Sequence, residues 1–269
     1  MALSTINYNA SQMTSPAENG SLNVHFSLVV LCYRSEEDIV PVVEKLHRMF
    51  SYFNFSYELI LVGNYIEGCE DKTPDIVRGL AQKLPNTRFI SLPKKGMMGW
   101  DMRAGMDAAR GTYICIIDGD GQYPFESIFS CLMRIEIEDL DLVKTYRVKR
   151  DDSFYRKTIS AVYNVLFKFL FGGGLRDINS KPKIIRRDKY ELLDLHSDDW
   201  FTDAEMMIRA NELKLRIAEL PIQFYEIDQR ASFVNLDAVF EFIGNLWRYR
   251  FNRKIPAPSN LRNEKILPP

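Results

Sequence analysis

Histidine and cysteine are scarce in this sequence, and those present are not grouped. The three histidines, at positions 25, 47 and 196, lie far apart, which argues against a histidine-based zinc site. The four cysteines, at positions 32, 69, 115 and 131, lack the paired spacing of a metal-binding motif. We therefore expect them to be reduced thiols in a cytosolic protein.

The sequence also lacks an excess of charge of one sign and any long apolar run. Its 35 lysines and arginines are balanced by 36 acidic residues, so the overall charge does not favour nucleic acid as a partner. No stretch of about 18 uncharged apolar residues occurs, so we predict no transmembrane helix. Residues 1–22 are polar, without the apolar segment of a signal peptide, and are expected to form a disordered leader.

What is present is a regular alternation of strand and helix patterns. The chain has 269 residues, of which 46% are hydrophobic, enough for the core of one large domain. The alternation predicts an α/β fold with a doubly wound, mostly parallel sheet and flanking helices. Strands are predicted at 26–32, 57–62, 88–92, 112–117, 142–146 and 182–185, helices at 36–50, 71–84, 99–109, 124–137 and 202–214, and an extended segment at 216–225.

Two further segments have apolar or aromatic surfaces that one buried face does not explain. Residues 154–171 are apolar on nearly every side, which fits a helix packed on the sheet or one that lies near a membrane. A last helix at 236–251 ends in a basic, aromatic cluster, which fits an interfacial membrane anchor or a dimer contact. We divide the chain into the leader, an α/β domain at 23–235, and an amphipathic helix with a loose tail at 236–269.

The most informative segment is an apolar run that ends in two aspartates one residue apart. Asp118 and Asp120 directly follow the predicted fourth strand, at the sheet edge where open α/β folds bind their ligands. Two carboxylates on one turn repel each other unless a cation lies between them, and Mg²⁺ shares its coordination between carboxylates and phosphates. The pattern indicates a metal site that holds a diphosphate. An acidic turn that caps the next helix is the alternative.

Several short motifs follow one another in a recognisable order along most of the chain. Residues 118–124 read Asp-Gly-Asp-Gly-Gln-Tyr-Pro, and 216–222 contain Glu-Leu-Pro-Ile. The other motifs occupy residues 31–39, 61–64, 99–111, 176–181 and 200–205. Together they resemble the family 2 glycosyltransferases with a GT-A fold, in particular polyprenyl-phosphate sugar transferases of the dolichyl-phosphate mannose synthase type. The resemblance covers about residues 24–235.

The sequence departs from the pattern of that family at a few positions. Gly63 and Asn64 replace an acidic pair that commonly contacts the base or the ribose, and Arg34 and Ser35 replace an Asn and an acid after the first strand. Lys181 stands where glycine is common, which changes the floor of the site. The sequence therefore does not determine which nucleotide base the sugar donor carries.

The resemblance implies transfer of a sugar from a UDP- or GDP-linked donor, with inversion by a single displacement. It implies Mg²⁺ or Mn²⁺ as cofactor, held by Asp118, Asp120 and Gln122, to stabilise the departing nucleoside diphosphate; Asp118 is also a candidate contact for the ribose. Tyr33 and Glu36 are expected at the nucleotide, although a helix cap and a surface aromatic are the plainer interpretation.

Other expected site residues are polar groups near the ends of strands and helices. Asn64 is a candidate nucleotide contact, and Arg103 is expected to contact the donor phosphates or to form a salt bridge on its helix. The candidates on the acceptor side are Arg147 for an anionic acceptor, Asp177 as a brace, and Arg230 and Ser232 as phosphate contacts on a mobile loop.

A sugar hydroxyl that attacks the donor would need a general base, and the resemblance gives Asp203 and Glu205 as the catalytic candidates. A lipid phosphate is already ionised, so for that acceptor the two carboxylates would orient the acceptor or a basic partner. Acids that complement the dipole at a helix N-terminus are the structural alternative.

The resulting hypothesis is a metal-dependent glycosyltransferase on the cytoplasmic face of a membrane, which transfers a hexose-type sugar to polyprenyl phosphate or a membrane-linked glycan. The alternatives are a soluble enzyme of surface polysaccharide synthesis, a nucleotidyltransferase and an inactive nucleotide-sugar-binding protein. The acidic Glu36-Glu37 after the first strand argues against a nucleotidyltransferase, which would have a basic, glycine-rich loop there. Homo-oligomerisation is left open.

Overall fold

The structure, a computed structural model, describes residues 24–150, 165–172, 174–225, 244, 246–247 and 249–251. The predicted leader, most of the last helix and the tail lie outside these residues, and so do Arg230 and Ser232. The division of the chain into a leader, a domain and a C-terminal helix therefore stays a prediction.

In the described part of the chain, seven strands form one sheet in the order β3-β2-β1-β4-β6-β5-β7. Only β6 is antiparallel to its neighbours, and the other pairs are parallel. The predicted α/β fold with a mostly parallel sheet is thus confirmed. The strands are β1 (Phe26–Leu31), β2 (Tyr57–Val62), β3 (Thr87–Ile90), β4 (Tyr113–Asp118), β5 (Leu142–Arg150), β6 (Lys183–Arg186) and β7 (Ile217–Phe224).

Helices flank the sheet, and the five predicted at 36–50, 71–84, 99–109, 124–137 and 202–214 are present with shifted ends. Of the helix predicted at 154–171, residues 154–164 lie outside the described part of the chain. The helices are α1 (Ile39–Ser51), α2 (Thr73–Lys83), α3 (Met98–Asp107), α4 (Glu126–Ile137), α5 (residues 165–171), α6 (Arg187–Leu193) and α7 (Thr202–Glu212). The helix predicted from residue 36 begins as a 3-10 turn, Glu36–Asp38, before α1. Positive φ angles at Arg34 and Glu36 are incompatible with a regular helix at this point.

The structure differs from the sequence-based expectation at two elements. Helix α6 was not predicted; it begins directly after β6 and is too short to show a helical repeat of apolar residues. Strand β5 continues past residue 146 to Arg150 because it pairs in parallel with β7 along that length, with an irregularity between Arg147 and Lys149. Pairing between distant strands is not visible in local sequence.

Each face of the sheet is covered by an apolar layer. Alternate residues of β1 point to opposite faces, so Leu28 and Val30 join the layer of α1, α2 and α4, and Val29 joins that of α3, α6 and α7. None of the four cysteines forms a disulfide, and all but Cys69 are buried. The covered faces leave the strand ends as the accessible edge of the sheet.

Candidate active site

The two aspartates of the acidic motif lie on a tight turn at the carboxyl end of β4. Asp118 is the last residue of the strand, and the Gly119 N–H donates to Leu31 O of β1 at 2.9 Å. A Cβ at position 119 would lie 2.7 Å from that oxygen, so only glycine lets the turn approach β1 so closely. The Asp120 carboxylate accepts a hydrogen bond from Gln122 N at 3.0 Å. Asp118 and Asp120 are both partly exposed.

Hydrogen bonds attach this acidic turn to the end of β7. Tyr225 N donates to Gln122 O at 3.0 Å, and Gln122 Nε2 donates to Tyr225 O at 3.2 Å. The amide oxygen of Gln122, its predicted metal ligand atom, is not used in either bond. The turn is thus held on one side by β1 and on the other by the segment that precedes the predicted phosphate-binding loop.

A lysine lies against the first of the two aspartates. In the antiparallel pairing of β4 with β6, Ile116 faces Lys183, so the same register, extended by two residues, sets Lys181 opposite Asp118. Lys181 Nζ lies 3.3 Å from Asp118 Oδ1. Burial opposes the charge of Lys181, but Asp118 and Asp203 together raise the pKa of its ammonium above the usual value.

Asp203, one of the two predicted catalytic carboxylates, is fully buried between two lysines. It lies in the first turn of α7. Its Oδ2 is 3.3 Å from Lys181 Nζ, and its Oδ1 pairs closely with Lys183 Nζ. Burial alone would raise the pKa of Asp203, but the two ammonium groups lower it below the usual value, so the carboxylate stays charged.

Glu205, the other predicted catalytic carboxylate, is also buried, and it orders a loop. It accepts hydrogen bonds from the backbone N–H groups of His196 and Ser197 at 2.8 to 3.1 Å. The same loop receives Arg103, whose Nη1 pairs with Asp198 Oδ1 at 2.5 Å and donates to His196 O at 2.7 Å. Of the two roles considered for Arg103, the structure shows a salt bridge, here with this loop.

Asn64 is buried at the end of β2, in a second polar network. Its Nδ2 donates to Asp101 Oδ1 and its Oδ1 accepts from Leu92 N, both at 2.8 Å. Asp101 pairs with Lys94 Nζ at 2.5 Å, and burial raises the pKa of this aspartate despite the lysine. In this conformation both polar ends of Asn64 are engaged within the protein.

Tyr33 and Glu36 follow β1 and remain partly exposed beside that network. Lys94 Nζ lies 4.0 Å from the centre of the Tyr33 ring, a cation–π contact. Burial raises the pKa of the Tyr33 hydroxyl. The Glu36 N–H donates to Thr73 Oγ1 at 2.9 Å, which fixes the backbone and leaves the carboxylate outside that bond. The predicted nucleotide side of the site thus has a partly exposed tyrosine ring, contacted by Lys94, with a carboxylate close by in sequence.

Arg147 and Asp177 form a bidentate ion pair near the acidic turn. Arg147 Nε and Nη2 lie 2.6 Å from the two carboxylate oxygens of Asp177, and Arg147 also lies over the ring of Phe224 at 5.2 Å. Burial opposes the charge of Asp177, but the guanidinium lowers its pKa to about 2. The predicted acceptor residue and its predicted brace therefore contact each other directly.

Sequence reasoning did not single out the buried lysines as a cluster. Lys144 Nζ lies 3.0 Å from Glu219 Oε1 of β7, and Lys144 faces Lys183 across the β5–β6 pair. The sequence did contain a sign of these buried lysines. Lys181 and Lys183 lie on either side of Pro182 and are followed directly by two isoleucines. Lysines are rarely fully buried unless they are paired, but their carboxylate partners come from α7 and β7, far away in sequence.

The acidic turn fits a divalent cation only with help from a substrate. Among the described residues there is no group of three His, Cys, Asp or Glu side chains that could hold a metal ion. The turn offers two carboxylates and the Gln122 amide, oxygen ligands of the kind that Mg²⁺ and Mn²⁺ prefer. Mg²⁺ typically completes such a partial set with water and substrate phosphates.

Residues 27–194 match the model of the family described as Glycosyl transferase family 2. The dolichyl-phosphate beta-glucosyltransferase of Dictyostelium discoideum is 24% identical over 77% of this chain and 68% of its own length. The undecaprenyl-phosphate 4-deoxy-4-formamido-L-arabinose transferase of Photorhabdus laumondii is 28% identical over 78% of this chain and 64% of its own length.

Solved structures with a similar fold include glucosyl-3-phosphoglycerate synthase from Mycobacterium tuberculosis in complex with Mn²⁺, uridine diphosphate and glucosyl-3-phosphoglycerate. It superimposes with a TM-score of 0.62 at 16% identity, over 87% of this chain and 81% of the other. The same enzyme has been solved with Mg²⁺ and uridine diphosphate. At this identity the likeness shows the shared GT-A type fold alone.

Proposed function

The chain belongs to glycosyl transferase family 2, and from this membership we propose that it transfers a sugar from a nucleotide-diphosphate donor to polyprenyl phosphate. Membership in this family makes it a glycosyltransferase, which disfavours the nucleotidyltransferase alternative. The relatives named for dolichyl phosphate and undecaprenyl phosphate support a lipid phosphate as the acceptor. The uridine diphosphate in the similar structures supports a UDP-linked sugar as the first donor to test.

The acidic turn is the observation that carries this proposal. Asp118 and Asp120 project from the end of β4 at the carboxyl edge of the parallel strands, and Tyr33 and Glu36 follow the neighbouring strand β1. Ligands of open α/β sheets bind in this position. A nucleotide that stacks on Tyr33 would bring its diphosphate toward the acidic turn.

We propose that Asp118, Asp120 and Gln122 hold Mg²⁺ or Mn²⁺ together with the donor diphosphate. When bound, the ion would act as a Lewis acid that stabilises the negative charge of the departing nucleoside diphosphate. The three side chains would orient it, because β1 and the segment after β7 hold the turn from both sides.

The surroundings of Asp203 and Glu205 support an acceptor that needs no general base. Asp203 is paired with Lys181 and Lys183, and Glu205 is occupied by backbone N–H groups. A phosphate acceptor is already ionised and can attack without losing a proton to the protein. We propose that the two carboxylates organise the basic and loop residues of the site, and that Arg147, braced by Asp177, attracts the anionic acceptor.

We further propose that the surface formed by α5 and the described residues 244, 246–247 and 249–251 lies against the cytoplasmic face of the membrane. In these segments Phe167 and Leu246 are buried in the core, whereas Phe169 is 84% exposed and Trp247 59% exposed. Helices with one buried face and an aromatic outer face suit the membrane interface. No helix among the described residues is long and apolar enough to cross a bilayer.

A partition assay tests the proposed reaction. The purified protein is incubated with radiolabelled UDP-glucose or GDP-mannose, a polyprenyl phosphate and Mn²⁺, and the label is followed into the organic phase. We expect lipid-linked label from at least one donor. Label that never leaves the aqueous phase, with both donors and folded protein, contradicts the lipid acceptor.

Two substitutions of aspartate by alanine connect this activity to the acidic turn. Asp120→Ala is expected to abolish transfer. Asp75→Ala, which removes an exposed aspartate paired with Arg78 on α2, should leave transfer unchanged. Undiminished transfer by Asp120→Ala would mean that the donor is held elsewhere.

A further inference from the structure

The ammonium group of Lys181 contacts the carboxylate of Asp118, the first residue of the acidic turn. Its Nζ is 3.3 Å from Asp118 Oδ1, and the lysine side chain is only 2% exposed. A buried ammonium cannot exchange its partner for water as a surface lysine does. Asp118 therefore has a cationic partner within the protein, on a turn that is also expected to receive a metal ion.

Asp203 holds the Lys181 ammonium in this position from the other side. Its Oδ2 is 3.3 Å from Lys181 Nζ, and Met98 Sδ lies 3.6 Å from the same nitrogen. Because Lys183 pairs with the second oxygen of Asp203, that carboxylate is shared between two cations. Asp203 alone does not neutralise both, so a positive charge is left over beside Asp118.

The two other carboxylates of the cluster do not neutralise this remaining positive charge, because each is paired with another cation. Lys144, the third buried lysine, is balanced by Glu219 at 3.0 Å, and the nearby Asp177 is engaged in its bidentate pair with Arg147. Burial lowers the pKa of Lys183 to about 8. At pH 7 and below, three ammonium groups, of Lys144, Lys181 and Lys183, therefore depend on three carboxylates, those of Glu219, Asp203 and Asp118. Asp118 is needed by the folded protein as well as by the metal site.

We propose that Lys181 is a positioning residue that competes with the divalent cation for Asp118, so that metal binds weakly until the donor diphosphate arrives. The inference rests on the proposed function, because it assumes a nucleoside diphosphate at the acidic turn. A cation placed beside Lys181 is repelled by it. The negative charge of a diphosphate offsets that repulsion and supplies further oxygen ligands. Lys181 thereby makes metal binding depend on the nucleotide.

The native protein tests the dependence on nucleotide without any substitution. Mn²⁺ binding is measured by electron paramagnetic resonance, which reports the concentration of the unbound ion, in the presence and absence of UDP or GDP. Titrations of Mn²⁺ with each nucleotide alone provide the correction for ion bound outside the protein. We expect at least tenfold tighter binding of Mn²⁺ to the protein with one nucleotide. Equal affinity with and without both nucleotides would overturn the proposal.

Two lysine variants separate the contact with Asp118 from the loss of a buried charge. Lys181→Met and Lys183→Met each remove one buried ammonium from Asp203, but only Lys181 also contacts Asp118. We expect Lys181→Met to bind Mn²⁺ about tenfold more tightly than the native protein when no nucleotide is present. Lys183→Met should bind it with nearly native affinity.

The position of the ion is checked with a further substitution. The tighter Mn²⁺ binding of Lys181→Met should disappear when Asp120→Asn is added. Thermal unfolding shows whether each variant is folded, and Lys181→Gln replaces Lys181→Met if the latter is not. A folded Lys181 variant with native Mn²⁺ affinity refutes the competition. These measurements of metal binding use neither acceptor nor catalysis. The competition by Lys181 can therefore be refuted while the partition assay still supports the proposed function, and the proposed function can fail while the competition is observed.

Discussion

At the scale of single residues, the site is built from charges that are paired within the protein. Asp177 pairs with Arg147, Asp203 with two lysines and Asp101 with Lys94. Breaking a buried pair costs more than forming it contributes, because the remaining charge is left without a partner in a medium of low polarity. The residues of the site therefore have large effects on stability as well as on activity.

The Arg147–Asp177 pair predicts a dependence of stability on pH. The pKa of the Asp177 carboxyl in the native protein, about 2, lies below its ordinary value of 3.8. The charged carboxylate therefore stabilises the fold above pH 4, and this contribution is lost as the pH falls toward 2. Asp177→Asn should lose about 2 kcal/mol of unfolding free energy at pH 7. The difference from the native protein should fall to roughly half at pH 3.

Urea unfolding of both proteins at pH 7 and pH 3 measures this difference. Asp139→Asn is the control, since Asp139 forms exposed ion pairs with Arg186 and Arg216 and should have a much smaller effect. A loss of stability in Asp177→Asn that is the same at both pH values contradicts the assignment.

The shared carboxylate of Asp203 predicts a larger effect. Asp203→Asn removes the negative charge that Lys181 and Lys183 have in common, and we expect a loss of about 3–5 kcal/mol in unfolding free energy. Urea unfolding at neutral pH gives the value. Asp188→Asn, at an exposed position of α6, should change stability by less than about 0.5 kcal/mol. Similar midpoints for the two variants would show that Asp203 does not neutralise the buried lysines.

At the scale of elements, the start of α3 is fixed by the loop that precedes α7. The N–H groups of Met97 and Trp100 donate to Asp198 O, and that of Gly99 donates to Asp199 O, at 2.7 to 3.1 Å. These bonds satisfy donors that have no partner inside a helix. Because Glu205 orders the same loop, α3 and α7 position each other beside the site.

This contact predicts opposite outcomes for two glycines in helices. A Cβ on Gly99 would lie 1.9 Å from Thr202 Oγ1, so Gly99→Ala should displace the loop and cost about 1–3 kcal/mol. Gly79 in α2 has no atom within 4 Å of an added Cβ, so Gly79→Ala should be neutral or stabilising by about 0.5–1 kcal/mol. Thermal unfolding measures the change in stability of both variants. If Gly99→Ala is no more destabilising than Gly79→Ala, the contact between α3 and the loop is not tight.

At the scale of the whole molecule, the described residues include a sheet edge with the candidate site and a second, aromatic surface on α5 and residues 246–247 and 249–251. Tyr249 packs on Phe201, just before α7, with ring centres 5.3 Å apart. The exposed pair Trp247 and Phe251 lies in the same segment. The proposed membrane surface is thus attached to the helix that supplies Asp203.

Binding to lipid vesicles tests that surface. The double variant Phe169→Ser and Trp247→Ser should sediment about tenfold less with vesicles that contain anionic phospholipid, because two exposed aromatic side chains are lost from the interface. Tyr52→Ser, which removes an exposed aromatic at the end of α1, should sediment like the native protein. If the double variant binds vesicles normally, this surface serves another contact, such as one between two copies of the chain.

Local sequence was enough to determine most of the elements. Short, nearly continuous apolar runs located β1, β2 and β4 within a residue or so, because helices cover both faces of these parallel strands. The acidic turn was also visible as an apolar strand that ends in Asp118 and Asp120, although that pattern alone also fits a turn that caps the next helix. Helix α6 and the length of β5 were missed, because the first is too short to show a period and the second depends on β7.

The sequence by itself determined the family, the fold class and the edge of the sheet at which the acidic motif lies. Only the tertiary structure decided the partners of its charges: that Asp203 lies between Lys181 and Lys183, that Arg103 binds the 196–198 loop, and that Lys181 faces Asp118. The physical reason is that a backbone period acts over a few residues, whereas a buried charge is paired with whichever group the fold brings within a few ångströms.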